Sequence, residues 1–264
     1  MSPTFSIITP SYNYEQFIDD ALVSVARQRR VLAEHIVVDG ASTDSTVGTL
    51  READGIIWRS EPDDGQSDAL NKAFALASGE IVGWLNADEY YLDDALYEVQ
   101  RTFDTTGADV VYGDSIHVDG EGRLLRLAAQ HRFDAEVLRH YGCYIPTCAF
   151  FVRRSALEDW SWDVQCRYIM DWDLYLWLHQ NDAQFAYLPK PLGAFRVHSE
   201  RVTAEPLPRD APERIRVMRR YGISQAGTRR RAARFRRIAL KVRSNSYLRQ
   251  LKSRRHAGLP TRWW

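Results

Sequence analysis

The feature that most narrows what this chain can fold into is an alternation in its first ninety residues. Short apolar runs give way, each in turn, to stretches with helical spacing. Phe5–Thr9 reads as a strand closed by Pro10, and Phe17, Ile18, Leu22 and Val25 then recur at helical intervals. His35–Val38 is a second buried strand ending at Asp39 and Gly40, and Ser45–Glu52 a short helix. Ile56–Ser60 is a third strand. Ser67–Ala77 is a helix closed by Ser78 and Gly79, with Gly79 expected at a left-handed stop. Ile81–Leu85 is a fourth strand running into Asn86-Ala87-Asp88-Glu89. A β-α-β-α-β-α-β series predicts an α/β fold, with a mostly parallel sheet flanked by helices.

The middle of the chain is mixed. Val110–Tyr112 and Ile116–Val118 read as strands before a turn at Asp119 and Gly120. Ala149–Val152 is a further strand, Asp171–Gln180 a helix, and Phe185–Leu188 and Ala194–Val197 two late strands. No internal repeat is visible. After Pro206 and Pro208 the composition changes. Residues 209–264 hold 18 of the 35 Lys and Arg residues but only Asp210 and Glu213 among the acids. A net charge of zero therefore hides an extension of about +16 and a body of about −16. We place the boundary at 205/206, giving a catalytic domain over 1–205 and a basic helical extension over 206–264. A length of 264 residues suits one α/β domain with such an appendage.

Cys143, Cys148 and Cys166 make neither a disulfide framework nor a zinc-type spacing, which points to a reducing compartment. The N-terminus lacks a signal-peptide pattern, and no stretch approaches the length of a membrane span. The expected location is the cytoplasm, with peripheral binding to the cytoplasmic face of the plasma membrane left open. No GxGxxG follows the first strand and no Walker A motif occurs, which disfavours dinucleotide-binding and P-loop folds. A nucleotidyltransferase is disfavoured too, because the first loop has no Gly-rich, Lys- or Arg-bearing cradle for a triphosphate.

In parallel α/β sheets, ligands bind outside the carboxyl ends of the strands. The first strand ends on Thr9-Pro10-Ser11-Tyr12-Asn13, the second on Asp39-Gly40-Ala41-Ser42-Thr43-Asp44, the fourth on Asn86-Ala87-Asp88-Glu89. All three are expected at one crevice, where they suit a nucleoside diphosphate. Tyr12 or the Pro10 backbone can pack on a base, and Asp39 can accept from base or ribose. Asp88 can hold a hard cation against phosphates. The alternative for each acid taken singly is helix capping.

The run Ile8-Thr9-Pro10-Ser11-Tyr12-Asn13, followed by Val38-Asp39-Gly40-Ala41-Ser42-Thr43-Asp44-Ser45-Thr46, resembles the opening of family 2 glycosyltransferases of the GT-A fold. Glu61–Lys72 and Gly79–Asp88 resemble a bacterial subgroup that builds surface polysaccharides. Met170-Asp171-Trp172-Asp173-Leu174 and Phe195-Arg196-Val197-His198 match later landmarks, so the resemblance covers about residues 4–200. It implies an inverting, metal-dependent transfer from a UDP-, GDP- or dTDP-sugar to a hydroxyl of a glycan or lipid-linked acceptor. Asn86-Ala87-Asp88 occupies the position of the family's DxD motif, with Asp88 the implied ligand of Mg²⁺ or Mn²⁺. On an extended segment, Asn86 and Asp88 would face the same way. The family usually has Asp where Asn86 stands, and often Asp where Glu89 stands. His198 matches a late histidine that completes the metal or phosphate contacts. Asp171 matches the general base, with Asp173 as second choice. Asp68, Asn71 and Lys72, at i, i+3 and i+4, are expected on one helix face towards sugar hydroxyls or phosphate; the plain alternative is an exposed Asp–Lys pair. A non-catalytic nucleotide-sugar-binding or scaffold protein on the same fold is the other class of function, supported by Asn86 and Glu89 and opposed by Asp88, Asp171 and His198.

In the extension, Phe235, Ile238, Ala239 and Val242 recur at helical spacing among Arg229, Arg230, Arg231, Arg234, Arg236, Arg237 and Arg243. Leu248 and Leu251 extend the pattern and Trp263-Trp264 close the sequence. An anionic membrane surface contacted through residues 227–264 is one reading. Docking on the acidic body and a solvated basic tail are the others. Nucleic acid is not an expected partner, because no recognised motif accompanies the charge.

Overall fold

The computed structural model describes residues 4–199, 208, 211–224 and 227–261. Pro206, the 205/206 boundary and Trp263-Trp264 lie outside these. The four expected strands form as β1 (Phe5–Ser11), β2 (Ala33–Asp39), β3 (Ile56–Ser60) and β4 (Ile81–Trp84), all parallel, in the order β3-β2-β1-β4. Between them lie α1 (Ile18–Ala26), α2 (Thr46–Glu52) and α3 (Gln66–Leu76). The sheet continues from β4 through β8 (Phe150–Arg153), β6 (Val110–Val118) and β9 (Phe185–Arg196) to the two-residue β5 (Tyr90–Tyr91), and β7 (Leu124–Ala128) pairs with β6. Pairings β4–β8, β8–β6, β6–β7 and β9–β5 are antiparallel, whereas β6–β9 is parallel. The sheet is therefore mixed. The remaining helices are α4 (Ala95–Thr106), α5 (Ala135–His140), α6 (Met170–Gln180), α7 (Pro212–Arg220), α8 (Gly227–Arg243) and α9 (Ser246–Ser253).

Successive strand residues serve opposite faces. Ile8, Val82 and Tyr112 join one core with Leu70 of α3 and Leu174 of α6, while Ile7, Ile81 and Val111 join another with Val25 of α1 and Leu96 of α4. Helices thus cover both faces.

Several sequence expectations are corrected. Pro10 does not close β1, which runs on to Ser11. Its pairing with β4 stops at Ile8, so beyond that point the missing N–H faces no ladder on that side. Gly79 is not a left-handed stop; a Cβ there would sit 2.7 Å from the backbone of Phe5 and Ser6, so glycine serves the close approach of the chain to β1. Val110–Tyr112 and Ile116–Val118 belong to one strand, because Asp114 in the polar gap accepts the Gln130 N–H at 2.7 Å and the Tyr187 hydroxyl at 2.6 Å. The two late strands likewise merge into β9. Gly113 pairs with Leu188 and Asp114 with Pro191, so Pro189 and Lys190 bulge out where no ladder N–H is needed.

The extension does not begin where the packing ends. Val217, Tyr221 and Ile223 are buried in the same core as α6. α7 therefore packs as part of the α/β body, and the boundary at 205/206 does not divide the core. α8 and α9 dock by ion pairs. Arg236 pairs with Asp134 at 2.5 Å, and Arg249 with the fully buried Asp114. The face so used is not the apolar one. Phe235 is 72 % exposed and Val242 60 %, with Ile238, Leu248 and Leu251 also exposed. Of the three readings of the basic tail, docking on the acidic body is what the fold contains, and the apolar stripe remains open. Among the described residues, no helix is long and apolar enough to cross a membrane.

Candidate functional site

The carboxyl ends of β1, β2 and β4 lie side by side, as Ser11 pairs with Asp39, Asp39 with Ser60, and Ile8 with Trp84. The loops that leave β1 and β2 are knitted together. Asn13, at a φ of 56°, receives the Thr43 N–H on its side-chain oxygen at 2.8 Å, and its own N–H reaches Ser42 Oγ at 2.8 Å. The Tyr14 N–H reaches Thr46 Oγ1 at 3.0 Å, and Glu15 and Asp44 exchange bonds with each other's neighbourhoods through Ser45 N–H and Glu15 N–H. This lattice leaves Tyr12 on the rim, 57 % exposed, free to lie along a planar base.

Asp39 is fully buried. Its carboxylate accepts from the Ser42 hydroxyl, the Ser42 N–H at 2.9 Å and the Ser60 hydroxyl at 2.8 Å. It shapes the floor of the crevice by holding the β2 loop against β3. Gly40 beside it lets the Asp63 carboxylate approach closely, since a Cβ there would lie 2.7 Å from it and the Asp63 side chain would have to swing away. Burial raises the Asp63 carboxyl above its ordinary range. Thr9 is also buried, with its hydroxyl 2.9 Å from His35 Nε2 inside the sheet. Burial pushes His35 down to about 3, so its ring is neutral.

At the end of β4 the chain turns sharply, with the Glu89 N–H on the Asn86 carbonyl at 3.0 Å. The segment is a turn and not extended, so Asn86 and Asp88 meet different partners. The Asn86 side-chain oxygen accepts from Trp84 Nε1 at 2.8 Å and Gln66 Nε2 at 2.7 Å, and its amide donates to Thr147 Oγ1 at 3.3 Å. Those bonds tie β4 to α3 and to the segment before β8. Asp88 Oδ2 instead lies 2.9 Å from His198 Nε2. The His198 ring packs at 4.7 Å on Phe17 and at 6.3 Å on Tyr14, and its Nδ1 is buried without a partner. The structure thus brings together two residues 110 positions apart. A carboxylate oxygen and an imidazole nitrogen at this distance fit a divalent cation that takes its other ligands from a diphosphate. Among the described residues there is no cluster of three or more His, Cys, Asp or Glu ligands.

Three residues without an assigned role in the sequence build this corner. Arg196 is 2 % exposed; it donates to the Asp88 carbonyl at 3.2 Å and the Gly120 carbonyl at 2.8 Å and pairs with Asp20. Its one sequence signal is a charge inside an apolar strand, Phe195-Arg196-Val197. Glu89 is buried; it receives the Thr147 hydroxyl at 3.1 Å, and burial together with the Asp88 charge raises its carboxyl. The short segment that carries Thr147 lies close against β9: a Cβ on Gly193 would strike the carbonyl of the next residue, Cys148, at 2.1 Å. Nothing local in the sequence marks it.

Asp171 is the second residue of α6. Its Oδ1 accepts the Trp172 N–H at 2.7 Å and its Oδ2 the Cys143 thiol at 3.2 Å, while burial raises the carboxyl above its ordinary range. Buried Tyr175, one turn on, feels the charges of both Asp171 and Glu89, which relates the start of α6 to the β4 turn. Asp173 is placed differently: it is buried and paired with Arg220 at 2.5 Å. On α3, Asp68 and Lys72 form the i,i+4 pair at 3.1 Å, and Lys72 also reaches Glu61 at 3.3 Å. Asn71 does not share their surroundings. Its amide donates to the Trp162 carbonyl at 2.8 Å and its oxygen accepts the Trp162 N–H at 2.8 Å, which anchors the approach to α6 on α3. A separate cavity of about 590 Å³ opens between α1 and α2 at the starts of β2 and β3, the edge opposite the crevice.

The chain is an α/β protein with a buried Asp at the end of β2, a carboxylate–imidazole contact at the β4 turn and a raised carboxyl at the start of α6. The family described as glycosyl transferase family 2 matches residues 6–161, and the chain belongs to it. An uncharacterised glycosyltransferase of Nostoc sp. is 30 % identical over 166 residues, 58 % of this chain and 52 % of that protein. The putative teichuronic acid biosynthesis glycosyltransferase TuaG of Bacillus subtilis is 33 % identical over 129 residues, 44 % of this chain and 51 % of that protein. This chain thus spans about half the length of these two relatives. Among solved structures, S. aureus TarS 1–349 in complex with UDP-GlcNAc aligns with a TM-score of 0.69 at 21 % identity, over 83 % of this chain and 66 % of that one. A mannosyltransferase of Pyrobaculum calidifontis, in complex with GDP-Man and Mn²⁺, aligns with a TM-score of 0.59 at 19 % identity, over 76 % and 59 %. These likenesses establish the GT-A fold.

Proposed function

We propose that this protein is an inverting glycosyltransferase that moves a sugar from a nucleoside-diphosphate sugar to a hydroxyl acceptor in cell-surface glycan synthesis. The observation that carries this is the Asp88–His198 contact of 2.9 Å at the carboxyl end of β4, beside the Asp39 loop. Tyr12 lies along the base, and the Asp39 loop receives base and ribose. Asp88 and His198 would hold a divalent cation, Mg²⁺ or Mn²⁺, whose charge would offset that developing on the leaving diphosphate. Asp68 and Lys72 of α3 are the candidates for sugar hydroxyls or phosphate, with Asn71 and Asn86 bracing the elements around them. Asp171 takes the proton from the acceptor hydroxyl as its oxygen attacks the anomeric carbon. Its raised carboxyl makes it a stronger base than an exposed Asp.

The relatives' names support a surface-glycan acceptor, and a lipid-linked acceptor gives the open apolar stripe of α8 a purpose. Phe235, Ile238 and Val242 are exposed amid arginines, which suits an anionic membrane surface. The decisive experiment is hydrolysis and transfer with a panel of UDP-, GDP- and dTDP-sugars. Mg²⁺ or Mn²⁺ is expected to stimulate turnover with one donor, and EDTA or Asp88→Ala to abolish it. Undiminished turnover in EDTA would remove the metal from the proposal.

A further inference from the structure

The four N–H groups at the start of a helix need partners from elsewhere. Ile169, the residue before α6, offers no side-chain cap. For the Ile169 N–H the partner comes from α7, which also gathers the two residues before it. Glu213 Oε1 accepts the N–H groups of Tyr168 at 2.9 Å and Ile169 at 2.8 Å, and Oε2 that of Arg167 at 3.1 Å. The Cys166 thiol completes the set, donating to Oε1 at 3.1 Å. One carboxylate thus gathers the turn that leads into α6, where a negative charge also complements the helix dipole. On the other side, the same turn is tied to α3 by the Ser67 hydroxyl on the Cys166 carbonyl at 2.7 Å.

Asp171 lies two residues past this turn, and its aim depends on where the first turn of α6 sits. We propose that Glu213 is a positioning residue for the general base, so that α7, although beyond the composition change at Pro206, contributes to catalysis. This rests on the reading of Asp171 as the base. The groups that face Asp171 are the Cys143 thiol from the segment after α5, Tyr175 on α6 and Glu213 on α7. The Cys143 bond favours the carboxylate. Burial and the Glu213 charge oppose it. Removing the charge at 213 therefore lets Asp171 ionise at lower pH.

Two variants of the full chain separate placement from charge. Glu213→Gln keeps the size and one accepting oxygen, whereas Glu213→Ala keeps neither. With the donor that shows metal-stimulated turnover, Glu213→Ala is expected to lower kcat by about 10–100-fold, the scale of a small misplacement of a catalytic group, with the donor KM within about twofold. Glu213→Gln is expected to recover most of kcat and to shift the acid limb of the kcat–pH profile downward. A ¹³C NMR titration of the Asp171 carboxyl reads the same shift without turnover, and serves if Glu213→Ala does not fold. An unmoved Asp171 titration in Glu213→Gln overturns the proposal, as does wild-type kcat in Glu213→Ala. Asp171→Asn run beside them identifies the fault: normal turnover there removes the base reading and this proposal together, whereas an inactive Asp171→Asn beside unaffected Glu213 variants removes this proposal alone.

Discussion

Asp39 and Asp171 are both acids at the ends of sheet and helix, yet their surroundings set them to different work. Asp39 spends its carboxylate on Ser42 and Ser60, whereas Asp171 has only a thiol and one N–H. Asp171→Asn keeps the shape but cannot accept a proton. It is expected to lower kcat by about 10²–10⁴-fold with donor affinity unchanged, read from turnover and donor titration. Acid sensitivity belongs to this scale too. His35 takes up no proton in the folded protein until about pH 3, against an ordinary 6.5. The unfolded chain binds that proton first, so the contribution of His35 to stability is complete above about pH 6.5 and is lost as pH falls towards 3. Thermal unfolding of His35→Gln is expected to depend less steeply on pH in that window than that of the natural sequence.

At the level of elements, α9 is held by the Ser246 hydroxyl on the Gln130 carbonyl and by a buried ion pair. Arg249 faces Asp114, which also accepts from Gln130 and Tyr187. Arg249→Ala leaves that carboxylate buried without its ion-pair partner, and unfolding in urea is expected to show a loss of about 3 kcal/mol. The open stripe of α8 predicts the contrary behaviour. Phe235→Ser with Val242→Ser touches nothing buried, so stability should hold within about 0.5 kcal/mol. Co-sedimentation with vesicles containing anionic lipid should fall in that double variant, and raised salt should weaken the binding of the natural chain, since surface charge is screened over about 10 Å at 0.1 M. Binding that ignores both changes would mean that another surface meets the lipid.

For the whole molecule, the division of charge between an acidic body and a basic extension becomes a set of specific docks. Arg220 meets Asp173 and Asp163, Arg236 meets Asp134, and Arg249 meets Asp114. Cutting after Pro208 removes Val217, Tyr221 and Ile223 from the core and leaves Asp173 without its arginine. Each such side chain is worth about 1.5–3 kcal/mol on burial. The sum rivals the whole stability of a typical domain, about 5–15 kcal/mol. The fragment 1–208 is therefore expected to be unfolded or molten by near-UV circular dichroism, while 1–224 keeps α7 and unfolds cooperatively at a lower temperature than the full chain.

Four parallel strands, the helices between them and the crevice at their ends could be read directly from the sequence, because strand and helix periodicities are properties of a few consecutive residues. So could the candidate acids, since each follows a strand or opens a helix. Most partners of those acids could not. His198 came to Asp88 only through the family resemblance, whereas Arg196 at the Asp88 carbonyl and Glu213 at the start of α6, joined over 108 and 44 to 47 residues, had no such signal, and only packing decides such meetings. The turn at Asn86 shows the same limit, as four residues that read as extended are closed by a backbone bond once Thr147 and Gln66 take the Asn86 side chain. In the extension, helical spacing located α8, but which face docks was set by where the body presents Asp134 and Asp114. Arginines satisfied those carboxylates, and the apolar stripe was left facing outward.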